Sequence, residues 1–175
     1  MNRKIVTAGL AVMIVFQLAV LAGEYIGAVY PLWTGREIRL KTVPVDPRSL
    51  FRGNYARLNY PISNIERIDD GERTNLRSGE IVYVRLKPDA NGLYVFDGAS
   101  LEKPETGPFI RGRLQDTSRP AVNRVYHIRY GIEAYFAPKK KALALEKDLR
   151  GGGVAVVMVA ANGKATLKDV IADRN

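Results

Sequence analysis

Hydrophobic and polar positions follow two different patterns along this chain. From Ile5 to Gly23 nineteen residues in succession carry no charge, and beyond them are several short stretches in which apolar residues alternate with polar ones. The uninterrupted run is the pattern of a helix facing apolar surroundings on all sides. The alternation is the period-2 pattern of half-buried strands. It predicts strands at Glu37–Val43, Tyr55–Ile62, Ile81–Leu86, Leu93–Phe96, Phe109–Leu114, Arg124–Tyr130, Val154–Ala160 and Ala165–Ile171. In the first, Ile38 and Leu40 share one face. In the second, Leu58 and Tyr60 lie with Ala56, and Tyr55, Arg57 and Asn59 point the other way. Asn91-Gly92 and Asn162-Gly163 sit between strand pairs and predict hairpins. One helix breaks the series near 138–150, opened by Pro138 and closed by Gly151, with Ala142, Leu145 and Leu149 in one stripe.

These elements make a mainly β (β-rich α+β) exported domain at 34–175, with one short helix near 138–150. One N-terminal transmembrane helix precedes it, within an anchor and cytoplasmic stub at 1–33. Nineteen helical residues span about 28 Å, close to the hydrocarbon thickness of a bilayer. Arg3 and Lys4 before the run favour a cytoplasmic N-terminus, although Arg36, Arg39 and Lys41 follow on the far side. Tyr25, Tyr30 and Trp33 are placed for the aromatic belt of the far interface. A cleaved signal peptide is the alternative, with Val20-Leu21-Ala22 as its cleavage site. The run is longer than an ordinary signal-peptide core, so an uncleaved signal-anchor is the expectation.

Composition narrows the chemistry. Lys and Arg number 27 against 18 Asp and Glu, a formal net charge of +9. Arg3, Lys4 and Glu24 are the only charges as far as residue 24, so the basic excess belongs to the exported part. In that compartment it suits anionic lipid, envelope glycan or an acidic protein face, and no nucleic acid partner is expected. There is no Cys and a single His, His127, which removes disulfides, thiol catalysis and Cys/His metal sites. No metal or cofactor is expected. Asp69-Asp70-Gly71-Glu72 lacks the ligand spacing of a calcium loop.

The segment richest in recognition chemistry is Val43–Pro61, VPVDPRSLFRGNYARLNYP. Asp46 and Pro47 are turn chemistry, and Gly53-Asn54 is a second turn leading into the strand of Leu58 and Tyr60. Arg48, Arg52 and Arg57 crowd this loop beside Tyr55, a composition shared by binding hot spots and by tightly packed structural loops. Lys139, Lys140 and Lys141 form a second basic cluster, at a helix start where the dipole disfavours cations. It reads as a solvated helix end or as a patch for phosphates of lipid or partner.

The segment Gly53-Asn54-Tyr55-Ala56-Arg57-Leu58-Asn59-Tyr60 resembles the naming motif of the GDYXXLXY family of bacterial membrane-anchored proteins. The blocks Trp33-Thr34-Gly35-Arg36-Glu37, Pro44-Val45-Asp46-Pro47-Arg48, Phe51-Arg52-Gly53 and Tyr130-Gly131-Ile132-Glu133…Tyr135-Phe136 are similar too, in the same order. The resemblance runs from about Leu32 to the C-terminal hairpin. It implies a Gram-negative inner-membrane protein with a periplasmic domain and no established reaction. It also implies a noncatalytic accessory role beside a polytopic membrane protein or envelope component. The motif Asp is Asn54 here, so a role that needs a carboxylate at that position is lost while a turn role survives.

The competing class is a signal-peptidase-like Ser/Lys envelope peptidase, with Ser49 as nucleophile and Lys87 or Lys103 as the neutral base. The Ser-Met-x-Pro order of those enzymes is missing around Ser49, which reads more simply as a turn hydroxyl. No catalytic residue is expected elsewhere: Glu102, Glu105 and Asp116 have no evident pairing for glycoside hydrolysis.

Overall fold

The computed structural model describes residues 3–43, 55–69, 76–115, 125–136 and 152–172. The expected helix near 138–150 lies outside them. One long helix leads into three antiparallel sheets around a shared core.

Helix α1, Arg3–Thr34, has 32 residues and rises about 48 Å. It is long and apolar enough to cross a membrane, and its apolar window is wholly exposed. It continues well past the uncharged run, and its last turns pack on the β-structure. Pro31 is the reason that packing is specific. A proline has no N–H for the carbonyl four residues earlier, so Gly27 O loses its helical donor. Lys164 Nζ supplies the missing donor at 2.6 Å, and Thr166 Oγ1 donates to the neighbouring Ala28 O at 3.1 Å. Pro31 itself is buried. Its carbonyl accepts the Gly35 N–H at 2.8 Å as the helix stops. A Cβ on Gly35 would stand 2.3 Å from that carbonyl and 3.0 Å from Val159 N, so only glycine fits where the helix meets the sheet.

The first sheet has the order β1-β9-β10, from β1 (Arg36–Thr42), β9 (Gly153–Val159) and β10 (Ala165–Ala172). The β9–β10 turn carries Gly163 at φ +80°, as Asn-Gly requires. Ile38 and Leu40 face inward, 2% and 1% exposed. Lys168 is the extra residue of a bulge in β10, and it reaches over to Glu37 at 2.9 Å. That ammonium's hydrogen bond and charge, with Arg39 adding a little, hold the Glu37 carboxyl below its ordinary range.

The larger sheet has the order β3-β7-β6-β4-β5: β3 (Asn64–Ile65), β4 (Ile81–Pro88), β5 (Tyr94–Ser100), β6 (Phe109–Leu114) and β7 (Tyr126–Arg129). β4 and β5 form the hairpin signalled by Asn91-Gly92. Val82, Val84, Leu86, Ile110, Leu114 and Ile128 project into the core cluster with Ile38, Leu40, Val157 and Val170 of the first sheet.

Two short strands make a third sheet, β2 (Tyr55–Arg57) with β8 (Ala134–Phe136). The expected single strand Tyr55–Ile62 is therefore divided. It stops at Arg57, touches Val43 through one bridge at Asn59, and turns into a 3-10 helix at Pro61–Ser63. Pro61 cannot donate to a ladder, and its fixed φ suits a first helical position.

Candidate functional site

Residues 57–65 are held by a second block, 126–136, through bonds that local sequence does not reveal. β2 pairs with β8 in the register Tyr55↔Phe136, Ala56↔Tyr135, Arg57↔Ala134. The Leu58 N–H then donates to Glu133 O at 2.8 Å. The Tyr60 hydroxyl donates to Ile132 O at 2.8 Å, and the Tyr130 hydroxyl donates back to Ile62 O at 2.5 Å. Each block thus supplies one buried phenol to a carbonyl of the other. Leu58, Tyr60, Tyr130 and Ile132 are all buried, Tyr60 to 1% exposure and Ile132 completely. Burial, helped by the Glu133 charge, pushes both phenols far above the ordinary tyrosine range, so they remain neutral donors. Gly112 of β6 makes room for this clasp. A Cβ there would lie 2.3 Å from Ile128 Cγ2 and 2.9 Å from the Tyr130 ring.

Over the clasp lies a polar cleft of about 650 Å³. Arg57 and Asn59, exposed while Leu58 and Tyr60 are buried, form one wall. Ser63 and Asn64 follow from the 3-10 turn and β3. Gln115, His127, Arg129 and Glu133 come from the ends of β6, β7 and the segment before β8. His127 Nδ1 lies 2.6 Å from Asn64 Oδ1. Glu133 accepts the Tyr130 N–H at 2.6 Å and the Gly131 N–H at 2.9 Å. Its carboxylate is thereby committed to the backbone, and Arg129 meets it only at 3.9 Å. No carboxylate pairs with Arg57 among the described residues. Ser63 Oγ is buried without a hydrogen-bond partner among the described residues.

Residues 17–170 match the family described as GDYXXLXY protein. The chain belongs to the GDYXXLXY family. No curated protein and no solved structure matches it. In this GDYXXLXY protein the last letters of the naming motif have a visible task. Leu58 and Tyr60 form the inner half of the clasp, and Arg57 carries the same strand's outward face into the cleft.

Of the other residues singled out by sequence, Asp46, Pro47, Arg48, Ser49, Arg52, Gly53, Asn54, Lys139, Lys140 and Lys141 lie outside the described residues. Tyr55 is described through its backbone, as the first residue of β2. Both candidate peptidase lysines are exposed. Lys87 Nζ pairs with Asp97 at 2.9 Å with its side chain 60% exposed. Lys103 Nζ stands 5.8 Å from the centre of the Phe109 ring, a cation–π contact. A catalytic base lysine needs the opposite, burial that removes its charge. The cleft residues Ser63, Asn64, Gln115, His127, Arg129 and Glu133 were not legible as a group in sequence. They converge from three separate segments, and the Tyr130-Gly131-Ile132-Glu133 block was the nearest signal.

Proposed function

We propose that this GDYXXLXY protein is a single-pass inner-membrane protein with a cytoplasmic N-terminus and a periplasmic β-domain. Its role is that of a noncatalytic accessory, which binds a polytopic membrane protein or an envelope component. The observation that carries this reading is the docking of α1. The helix suited to the bilayer is bonded to the β-structure through Gly27 and Ala28, so the β-domain is carried close to the membrane at a set height and orientation. A flexible tether would serve an enzyme acting on diffusible substrate, whereas a set height suits a partner in the same membrane. Arg57, Asn59 and their neighbours in the cleft supply the interaction face. Anionic lipid near the helix and envelope glycan are the other candidate ligands of the basic surface.

Two experiments test the reading. Protease added to spheroplasts should digest the β-domain, and complete protection would overturn the topology. A photo-crosslinking amino acid at position 57 of the full-length protein should capture an integral membrane protein, identified by mass spectrometry. Capture at position 57 no greater than at an exposed control position such as Lys87 would overturn the interaction role of the cleft.

A further inference from the structure

We propose that the polar cleft is a carboxylate-binding site, which takes an acidic segment of a protein partner; this rests on the cleft being the interaction face. The charges around it are unbalanced. Among the described residues that line it, the guanidinium groups of Arg57 and Arg129 stand against one carboxylate, Glu133, whose oxygens already accept two backbone N–H groups. Guanidinium groups present paired N–H donors that match the two oxygens of a carboxylate, so a ligand of that kind can be gripped at two points. The amides of Asn59 and Gln115 add neutral hydrogen-bonding groups suited to a peptide backbone.

The placement of the cleft selects among sources of negative charge. β6 begins at Phe109, which packs on Gly163 beside the lysine that binds α1. It ends at Leu114, next to Gln115 of the cleft. Five residue steps of strand separate these ends by about 17 Å. The cleft is thus remote from the helix-docking corner, and lipid phosphates are poor candidates for it. A partner's acidic loop reaches it readily, and at about 650 Å³ the space holds several side chains.

His127 is the only histidine in the chain, so its ring resonances report on this cleft alone. The full-length protein, ¹³C-labelled at histidine in detergent micelles, is titrated with three probes: N-acetylated tetraglutamate, N-acetylated tetraglutamine and inorganic phosphate. Tetraglutamate is expected to move the His127 Hε1 resonance saturably, tetraglutamine to leave it unchanged, and phosphate to act at least about tenfold more weakly. Arg57→Gln and, separately, Arg129→Gln should each weaken the tetraglutamate response by about tenfold or more, as for loss of a charged hydrogen bond. Both side chains are exposed, and an unchanged thermal unfolding midpoint of each variant confirms its fold. No saturable shift, an equal response to phosphate or tetraglutamine, or wild-type affinity in both variants would overturn the proposal. Crosslinking of a membrane protein at position 57 without any tetraglutamate response would leave the interaction role standing and remove this one.

Discussion

Tyr60→Phe separates a structural role of the family motif from a recognition role. Phenylalanine fills the same space, so no cavity forms, and the change removes one hydroxyl bonded to Ile132 O at 2.8 Å. Ile132 is completely buried, and its carbonyl would be left without that donor. Leaving a buried acceptor unpaired costs about 1–3 kcal/mol, more than the bond itself contributes net. For a domain of this size each kcal/mol lowers the melting temperature by about 3 °C, which predicts a fall of about 3–9 °C. The assay is thermal and guanidinium unfolding of the detergent-solubilised protein, followed by near-ultraviolet circular dichroism. Tyr130→Phe removes the reciprocal bond to Ile62 O, and the double variant should lose less than the sum of the two. Arg57→Ala on the same segment, exposed and without a carboxylate partner among the described residues, should stay within about 0.5 kcal/mol of wild type. A Tyr60→Phe change below about 0.5 kcal/mol would refute the clasp, and loss of stability in Arg57→Ala would refute the division of labour between the two faces.

The two phenols also predict an alkaline limit. Both are raised in the folded state, so their contribution is complete below the unfolded value near 10 and is lost as pH rises above it. Each should cost about 1.4 kcal/mol per pH unit in that range, and Tyr60→Phe should remove one of the two contributions from the slope of stability against pH. Gly35→Ala should lower stability by more than about 2 kcal/mol in the same unfolding assay, because the new Cβ meets only backbone atoms, which cannot swing aside. Gly112→Ala should cost about 1–3 kcal/mol and displace the Tyr130 ring, visible as altered Tyr130 resonances. Lys164→Met should loosen the domain on its helix, so that the distance between spin labels at Tyr25 and Asn162, measured by pulsed electron paramagnetic resonance, broadens from one narrow peak.

Much of the architecture was legible in the chain because it rests on local periodicity. The uncharged run gave the helix, since few other elements carry nineteen mostly apolar residues without a charge. Alternation gave most of the strands and put Leu58 and Tyr60 on one face, because a half-buried strand must repeat every two residues. Asn91-Gly92 and Asn162-Gly163 gave two hairpins, since few other residue pairs adopt the required positive φ. The strands β3 and β8 were not legible, being too short for alternation to show. The anchor expected at 1–33 is one continuous helix to Thr34, because Glu24 is a single charge in an otherwise uncharged stretch that runs on to Trp33. Most of all, tertiary structure decided what the conspicuous residues are for. Pro31 reads as a helix breaker, yet it frees a carbonyl that Lys164 occupies from 137 residues away. Tyr60 reads as a core aromatic, yet its hydroxyl closes a clasp with Ile132. Ser63, His127 and Arg129 carry no common signal, and they share a cleft only because β3, β6 and β7 lie side by side. Local pattern records which way a side chain must face. Which distant atom it meets is set by the register of strands far apart in sequence, and no single segment encodes that.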